Sequence, residues 1–247
     1  MLKRYFNLTR MEFVLYLREP SGFFFTLIFP LLLMMLFGSI WGNKPFPGGN
    51  FGYIDYAVPA FIGMVILTTG ISGLTTSIAA YREKGILRRF KSAPISPLLV
   101  LTAELSSLFI ITVLGMLLLL AAGVIVFGMR FFGSILEVLV AFVLSTLAIS
   151  ALGFIPASLA PTARSGMIIS NVMYFPMLFL SGAALPREML PSFLKSFSQI
   201  LPLTHVIELL QGLWLGGHLW EYPVQILVLC GVTTAGFVIA AKYFRWE

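Results

Sequence analysis

Six apolar runs, each near the ~20 residues that carry a helix across a ~30 Å hydrocarbon layer, occupy residues 23–41, 57–80, 98–127, 134–160, 166–185 and 222–241. Little of the chain is left for anything but connections. The runs are continuous, with Leu, Ile, Val and Phe on every face, whereas a membrane barrel is written in alternating segments of about ten residues. Of the 247 residues, 59% are hydrophobic and 11% charged, against roughly a quarter charged in a soluble domain. The expected fold is an all-α membrane protein with six transmembrane helices, forming a single transmembrane domain over residues 1–247.

Basic residues set the orientation, because cytoplasmic loops are enriched in Lys and Arg. With the N-terminus inside, twelve of the sixteen fall on the cytoplasmic side, and only Lys44, Arg130, Arg187 and Lys195 lie outside. Both termini are therefore expected in the cytoplasm. The formal charge of +6 then reads as topology and contact with anionic membrane lipids, not as nucleic-acid binding. The single cysteine, Cys230, lies within the last run and admits no intrachain disulfide. No cleavage-site pattern follows the first run, which reads as an uncleaved signal anchor.

The connections differ in character. Residues 2–19 predict a helix lying in the inner interface, with Leu2, Tyr5, Phe6, Phe13, Tyr16 and Leu17 on one arc opposite Lys3, Arg4, Arg10 and Arg18; the alternative is a frayed polar leader. The loops at 42–56, 128–133 and 161–165 are too short to fold alone. Residues 186–215 contain two short limbs around Pro202, the first amphipathic and the second mostly apolar. They predict an outer re-entrant helical hairpin or, alternatively, an irregular loop on the headgroups. Pro30, Pro156 and Pro176 predict bends in their spans.

Residues 81–97 form a short basic segment between the second and third runs, closed by Pro94 and Pro97. Ile86, Leu87 and Phe90 share one helical face, and Glu83 is its only acid, so Arg88, Arg89 and Lys91 lack local partners. Such a segment meets either headgroups or an acidic groove on another protein. The chain holds no Gly-Lys pair and so no phosphate-binding loop, and no H-E-x-x-H or G-x-S-x-G element. It is not expected to be an enzyme or to hold a cofactor or metal. Glu104 and Glu137 lie near the ends of their spans, where each can snorkel or pair with a basic neighbour, Arg88 or Arg89 for the first and Arg130 for the second.

Arg82-Glu83-Lys84-Gly85, followed by Leu87, Arg89 and Ala93-Pro94-Ile95-Ser96, resembles the cytoplasmic coupling segment of type-2 (type V) permeases of ATP-binding-cassette exporters, in their drug- and lipid-exporting group. Phe175-Pro176, Phe179-Leu180-Ser181-Gly182, Pro186, Leu190-Pro191 and Pro202-Leu203-Thr204 resemble the second signature of that family. The resemblance covers almost the whole chain. It implies a six-span permease of a prokaryotic-type plasma (inner) membrane, paired with a second permease copy as a homo- or heterodimer and docked on a separate ATPase subunit. That subunit would bind ATP and Mg and hydrolyse the nucleotide.

The cargo expected is an amphipathic or lipid-like molecule, a drug, lipid or glycoconjugate, moved outward. Arg82, Glu83, Lys84, Gly85, Ile86, Leu87, Arg88, Arg89 and Phe90 are the expected ATPase-coupling residues. Phe179, Ser181, Gly182, His205, Glu208 and Gln211 are candidates for the translocation path or its outer gate. For the stripe His205, Glu208 and Gln211, ordinary headgroup-facing polarity stands as the alternative, and a His–Glu pair alone supplies too few ligands for a metal. A stand-alone secondary transporter or channel, or a non-transporting membrane scaffold, are the rival functions.

Overall fold

A computed structural model describes residues 2–45, 51–86, 97–184 and 187–243. Helix α1 spans Leu2–Leu17, and α2 spans Pro20–Trp41. Helix α3 is Tyr53–Glu83, α4 Pro97–Phe127, α5 Ile135–Leu159 and α6 Ala163–Leu180. Two shorter helices follow, α7 at Ser192–Ser198 and α8 at Pro202–Trp214, and then α9 at Pro223–Tyr243. Five of these helices, α2 to α5 and α9, are long and apolar enough to cross a membrane. The remaining expected span, the fifth in order at 166–185, overlaps α6, an 18-residue helix that carries Arg164, Ser165, Ser170 and Asn171.

The elements begin and end where local chemistry dictates. Pro20 opens α2 after Glu19, since a proline at the first helical turn forfeits no hydrogen bond. Thr162 caps α6 by accepting from the N–H of Ser165 at 3.2 Å. Gly128 adopts φ +62° to turn the chain out of α4, a conformation that disfavours a side chain. Two stretches widen to π geometry, Phe24–Ile28 in α2 and Thr68–Gly73 in α3.

Helix α3 is the axis of the bundle and is buried along nearly all its length, packed by α2, α4, α5 and α8. Lipid tails are as apolar as leucine, so close packing and hydrogen bonds must hold such helices together. Both are present. A Cβ at Gly153 would stand 1.9 Å from the carbonyl oxygen of Gly70, and one at Gly70 only 3.0 Å from the backbone of Ile149 and Ser150. The α3–α5 crossing therefore requires glycine on both sides. Thr69 Oγ1 meets Thr112 Oγ1 at 2.8 Å across α3 and α4, an interhelical bond worth about 0.6 kcal/mol.

Helix α1 departs from its expected pattern. The side packed on α4 carries Thr9, Glu12 and Tyr16, all buried, whereas Phe6 is 68% exposed and Leu17, Leu15 and Met11 also face outward. Tyr5, Phe13 and Tyr16 of the expected arc do lie on the packed side, with the Tyr5 hydroxyl bonded to Ser106 Oγ of α4, and Lys3, Arg4, Arg10 and Arg18 stay exposed, so the difference is that Thr9 and Glu12 join the packed side while Phe6 and Leu17 leave it. In the hairpin region, α8 is not spread on a surface. Leu203, Val206, Leu209, Leu210 and Leu213 are buried against α3, α5 and α9.

Candidate functional site

Three places bring together residues that a transporter would use: the root of the basic segment, and two cavities named here by the expected orientation, a polar one on the expected outer side and an apolar one nearer the expected inner side. Of the expected coupling residues, Leu87, Arg88, Arg89 and Phe90 lie outside the described residues. The helix α3 runs three residues past its expected end, so Tyr81, Arg82 and Glu83 belong to it. Lys84 and Gly85, the latter at φ +65°, then turn the chain towards Ile86.

Arg82 and Glu83 face the protein. The guanidinium of Arg82 donates from Nη1 to the carbonyl oxygens of Ala157, at 2.9 Å, and Ala160. These are among the last carbonyls of α5, where a cation is favoured by the helix dipole. Glu83 accepts at 2.8 Å from the N–H of Ala163, the first residue of α6, where an anion is favoured for the converse reason. Two successive side chains thus bind both limbs of the tight α5–α6 turn to the root of the basic segment.

Beside this root lies an acidic cluster that periodicity alone does not disclose. The Tyr81 hydroxyl donates to Glu12, with Glu104 at 3.4 Å, and both carboxyls are buried. Burial, and after it the Glu104 carboxylate, push the Glu12 carboxyl up to about 8. The neighbours found at Glu104 include Glu12, Tyr81 and Ser77; Arg88 and Arg89, named for it from the sequence, lie outside the described residues.

The outer cavity has a volume of about 360 Å³ and is lined by Tyr56, Ser181, Gly182, Arg187, Lys195, Ile207, Glu208 and Gln211. Four of the six expected path residues, Ser181, Gly182, Glu208 and Gln211, therefore meet there. Glu208 is held by Arg187 Nη1 on one oxygen and by Gln225 Nε2, at 3.0 Å, on the other. Gln211 Nε2 donates to the carbonyl of Tyr56 at 3.1 Å. His205 does not join them. It is buried, with Nε2 2.9 Å from the carbonyl of Gln199, and it ties α8 back to the end of α7. No group of three metal-binding side chains occurs among the described residues.

Phe179 lines a different space, an inner cavity of about 290 Å³ between α2, α3 and α6. Its wall is mostly apolar and aromatic, with Phe25, Phe29, Tyr174 and Phe175, and its polar spots are Glu19, Asn171, Ser72 and Thr76. Both π stretches border it, Phe25 from the first and Thr68, Ser72 and Gly73 from the second. Such interruptions of a helix recur at functional sites.

The outer turns are tied by a residue that the sequence hides in a loop-like stretch. Asp55 is 0% exposed and accepts four hydrogen bonds: from Asn43 Nδ2 and the N–H of Arg130 at 2.8 Å, and from the N–H of Gly52 and Arg130 Nη2 at 3.0 Å. Arg130 is thus committed to Asp55 and not to Glu137. The turn at Gly128 aims it there, and Glu137 is met instead by His218 Nδ1 at 3.4 Å.

Comparison with known proteins places this arrangement. A family model described as ABC-2 type transporter matches residues 3–215. The chain is 28% identical over 228 residues to "Putative transport permease ycf38" of Cyanophora paradoxa, covering 86% of this chain and 74% of that protein. It is 32% identical over 112 residues to "Nodulation protein J" of Rhizobium meliloti (strain 1021), 45% of this chain and 43% of that one. It is 26% identical over 189 residues to "Probable multidrug ABC transporter permease YbhR" of Escherichia coli (strain K12), 74% of this chain and 51% of that one. The matched part spans about half or less of the latter two relatives. Because the family match runs through the turn bound by Arg82 and Glu83, both cavities and α8, this multi-pass membrane chain belongs to the ABC-2 type transporter family.

Proposed function

We propose that this ABC-2 family permease exports an amphipathic or lipid-like molecule, driven by ATP that a separate ATPase subunit hydrolyses. The observation that carries the reading is the pair of contacts made by Arg82 and Glu83 to the α5–α6 turn. Helix α6 begins at that turn. Farther along it, Tyr174, Phe175 and Phe179 wall the inner cavity, and Ser181 and Gly182, just past its end, wall the outer one. A push on the basic segment from below would therefore reach both cavities through one rigid element. Packed helices answer such a push by shifting as bodies, since their interiors are too dense to deform smoothly.

In this reading α6 also crosses the membrane, as the fifth of six spans, both termini are cytoplasmic, and residues 81–97 dock on the ATPase. Ile86, Leu87 and Phe90 anchor that contact, because desolvated apolar side chains dominate such interfaces. Arg88, Arg89 and Lys84 set orientation and encounter rate. The apolar Ile168, Val172 and Phe175 on the outer face of α6 are exposed and fit a second permease copy, so the cargo passes between two subunits. The aromatic wall of the inner cavity suits an apolar body, and its polar rim suits a head group.

The test is efflux of a fluorescent amphiphile from proteoliposomes. Export that requires ATP and both subunits is expected. Equal transport by the permease without the ATPase would replace this reading with that of a stand-alone transporter.

A further inference from the structure

We infer that the inner cavity binds an amphiphile whose head group is a protonated amine. The inference names the charge of the cargo and so rests on the reading of this cavity as part of an export route, although binding itself requires no motor.

The cavity is polar at one end and aromatic at the other. Along α2 the lining runs from Glu19, just before the first turn, to Phe25 and Phe29. Along α6 it runs from Asn171 to Phe175 and Phe179, at the four-residue spacing of one helical face. Helix α3 runs the opposite way, with its end on the first residue of α6 and Thr68 on Tyr174, so it sets Ser72 and Thr76 at the polar end. A Cβ at Gly73 would stand 3.4 Å from the Tyr16 ring, which brings the elbow carrying Glu19 to the same level. A space divided in this way fits a ligand with a polar head and an apolar body.

The polar end is open to a ligand. Several hydroxyls there are already satisfied within the protein: Thr68 and Tyr174 by each other at 3.2 Å, Thr76 by the carbonyl of Gly73 at 3.1 Å, and Ser170 by that of Met167 at 3.0 Å. The Glu19 carboxylate, the Asn171 amide and the Ser72 hydroxyl remain. Glu19 has no ion pair among the described residues and only a 3.4 Å bond from Ser21 Oγ. Asn171 and Ser72 are partly buried in the lining, and neither side chain has a partner among those residues. Each of the three offers an oxygen that can accept.

Glu19 fixes the sign of the charge. It is the only charged residue of the lining among the described residues, and its neighbour Arg18 lies in a separate surface groove with Asn7 and Arg10. An anionic head would meet an unpaired carboxylate, and a neutral one would gain nothing from it. An ammonium pairs with Glu19 and donates to Asn171 Oδ1 and Ser72 Oγ, bonds strengthened by its charge. The faces of the aromatic rings also attract a cation. The volume of about 290 Å³ admits a small amphiphile, a ring system with a short alkyl arm.

Three fluorescent ligands with the same dansyl ring and alkyl arm separate charge from shape: dansylcadaverine, which ends in an ammonium, its neutral N-acetyl derivative, and dansyl-aminocaproate, which ends in a carboxylate. Binding to the purified full chain in phosphatidylcholine nanodiscs, without ATPase or nucleotide, is read by fluorescence anisotropy with empty nanodiscs subtracted. The amine is expected to bind roughly fivefold more tightly than the neutral form, and the carboxylate most weakly. Glu19→Gln should abolish that preference while leaving the neutral ligand's affinity unchanged, and Glu19→Asp should retain it, a pattern that a purely structural role of Glu19 would not produce. Phe175→Ala should weaken the amine and the neutral form alike. Equal affinities for the three ligands, tighter binding of the carboxylate, or an undiminished preference in Glu19→Gln overturns the proposal. So does Phe175→Ala binding all three like the wild type, since the ligand then sits elsewhere. If Glu19→Gln fails to fold, Asn171→Asp still decides: it adds a second carboxylate at the same end and should widen the preference for the amine, and an unchanged preference contradicts the site. Since no ATP is present, failure here is distinct from failure of ATP-driven export.

Discussion

The carboxylate of Glu83 accepts a 2.8 Å hydrogen bond from the N–H of Ala163, so the end of α3 answers a donor that the start of α6 leaves without a helical partner. Arg82, its neighbour, does the converse for the end of α5. The double variant Arg82→Ala/Glu83→Ala is expected to lower stability by roughly 1.5–3 kcal/mol, mostly through the charged bond of Arg82. It should still bind the ATPase yet lose ATP-driven efflux. Thermal unfolding of the purified complex, with efflux measured in parallel, checks both halves; full efflux by the variant would contradict a lever at this turn.

Asp55 should be the most sensitive outer residue. Asp55→Asn keeps the shape but turns an amide towards the donors of Gly52 and Arg130, which now converge on the carboxylate. A loss of roughly 2–3 kcal/mol is expected, below the usual cost of breaking a fully buried pair because Arg130 is half-exposed. The thermal midpoint reports it, and Arg130→Ala should cost less because only one partner is removed.

The Glu12 carboxyl, on α1, makes stability depend on pH. An ordinary Glu titrates near 4.5 and Glu12 near 8, so the folded chain holds the proton more tightly than the unfolded one. The contribution is complete below pH 4.5 and disappears as pH rises through about 8. The groups facing it are Tyr81 from α3 and Glu104 from α4. Midpoints measured from pH 5 to 8.5 should fall, and Glu12→Gln should flatten the slope. An unchanged slope would place the effect elsewhere.

Gly153→Ala should damage the bundle. The added carbon would stand 1.9 Å from the Gly70 carbonyl, so α3 and α5 must separate at a cost of about 2–3 kcal/mol. By contrast, Gly231→Ala on α9 meets nothing and should raise the midpoint slightly, because Ala favours a helix interior over Gly by about 0.5–1 kcal/mol. The pair of midpoints separates tight packing from helix propensity.

Much of the architecture is legible from long apolar runs, because a lipid environment leaves the backbone little choice but helix. Motif and helical spacing singled out Ser181, Gly182, Glu208 and Gln211, which line one cavity. Other features were not legible. Amphipathic spacing placed Tyr5, Phe13 and Tyr16 on the packed side of α1 and the basic residues on the exposed one, but it did not show that Thr9 and Glu12 turn inward or that Phe6 and Leu17 turn out. Asp55 sits in a Gly- and Pro-rich stretch whose composition says loop, and its four donors come from three separate places in the chain. Arg130 and Glu137 are close in sequence, yet the turn at Gly128 sends Arg130 to Asp55. His205 shares a helical face with Glu208, but a nearby carbonyl at Gln199 captures its ring. Distances along the chain cannot show such choices, since each depends on which helix lies alongside.

The central claim is that an ATPase moves this bundle through residues 81–97, and its most direct measurement is co-purification of the ATPase subunit with the full chain before and after Ile86→Asp/Phe90→Asp. The account predicts that the wild type retains the ATPase and that the variant, still inserted and monodisperse, loses it. Undiminished co-purification by the variant would contradict the account.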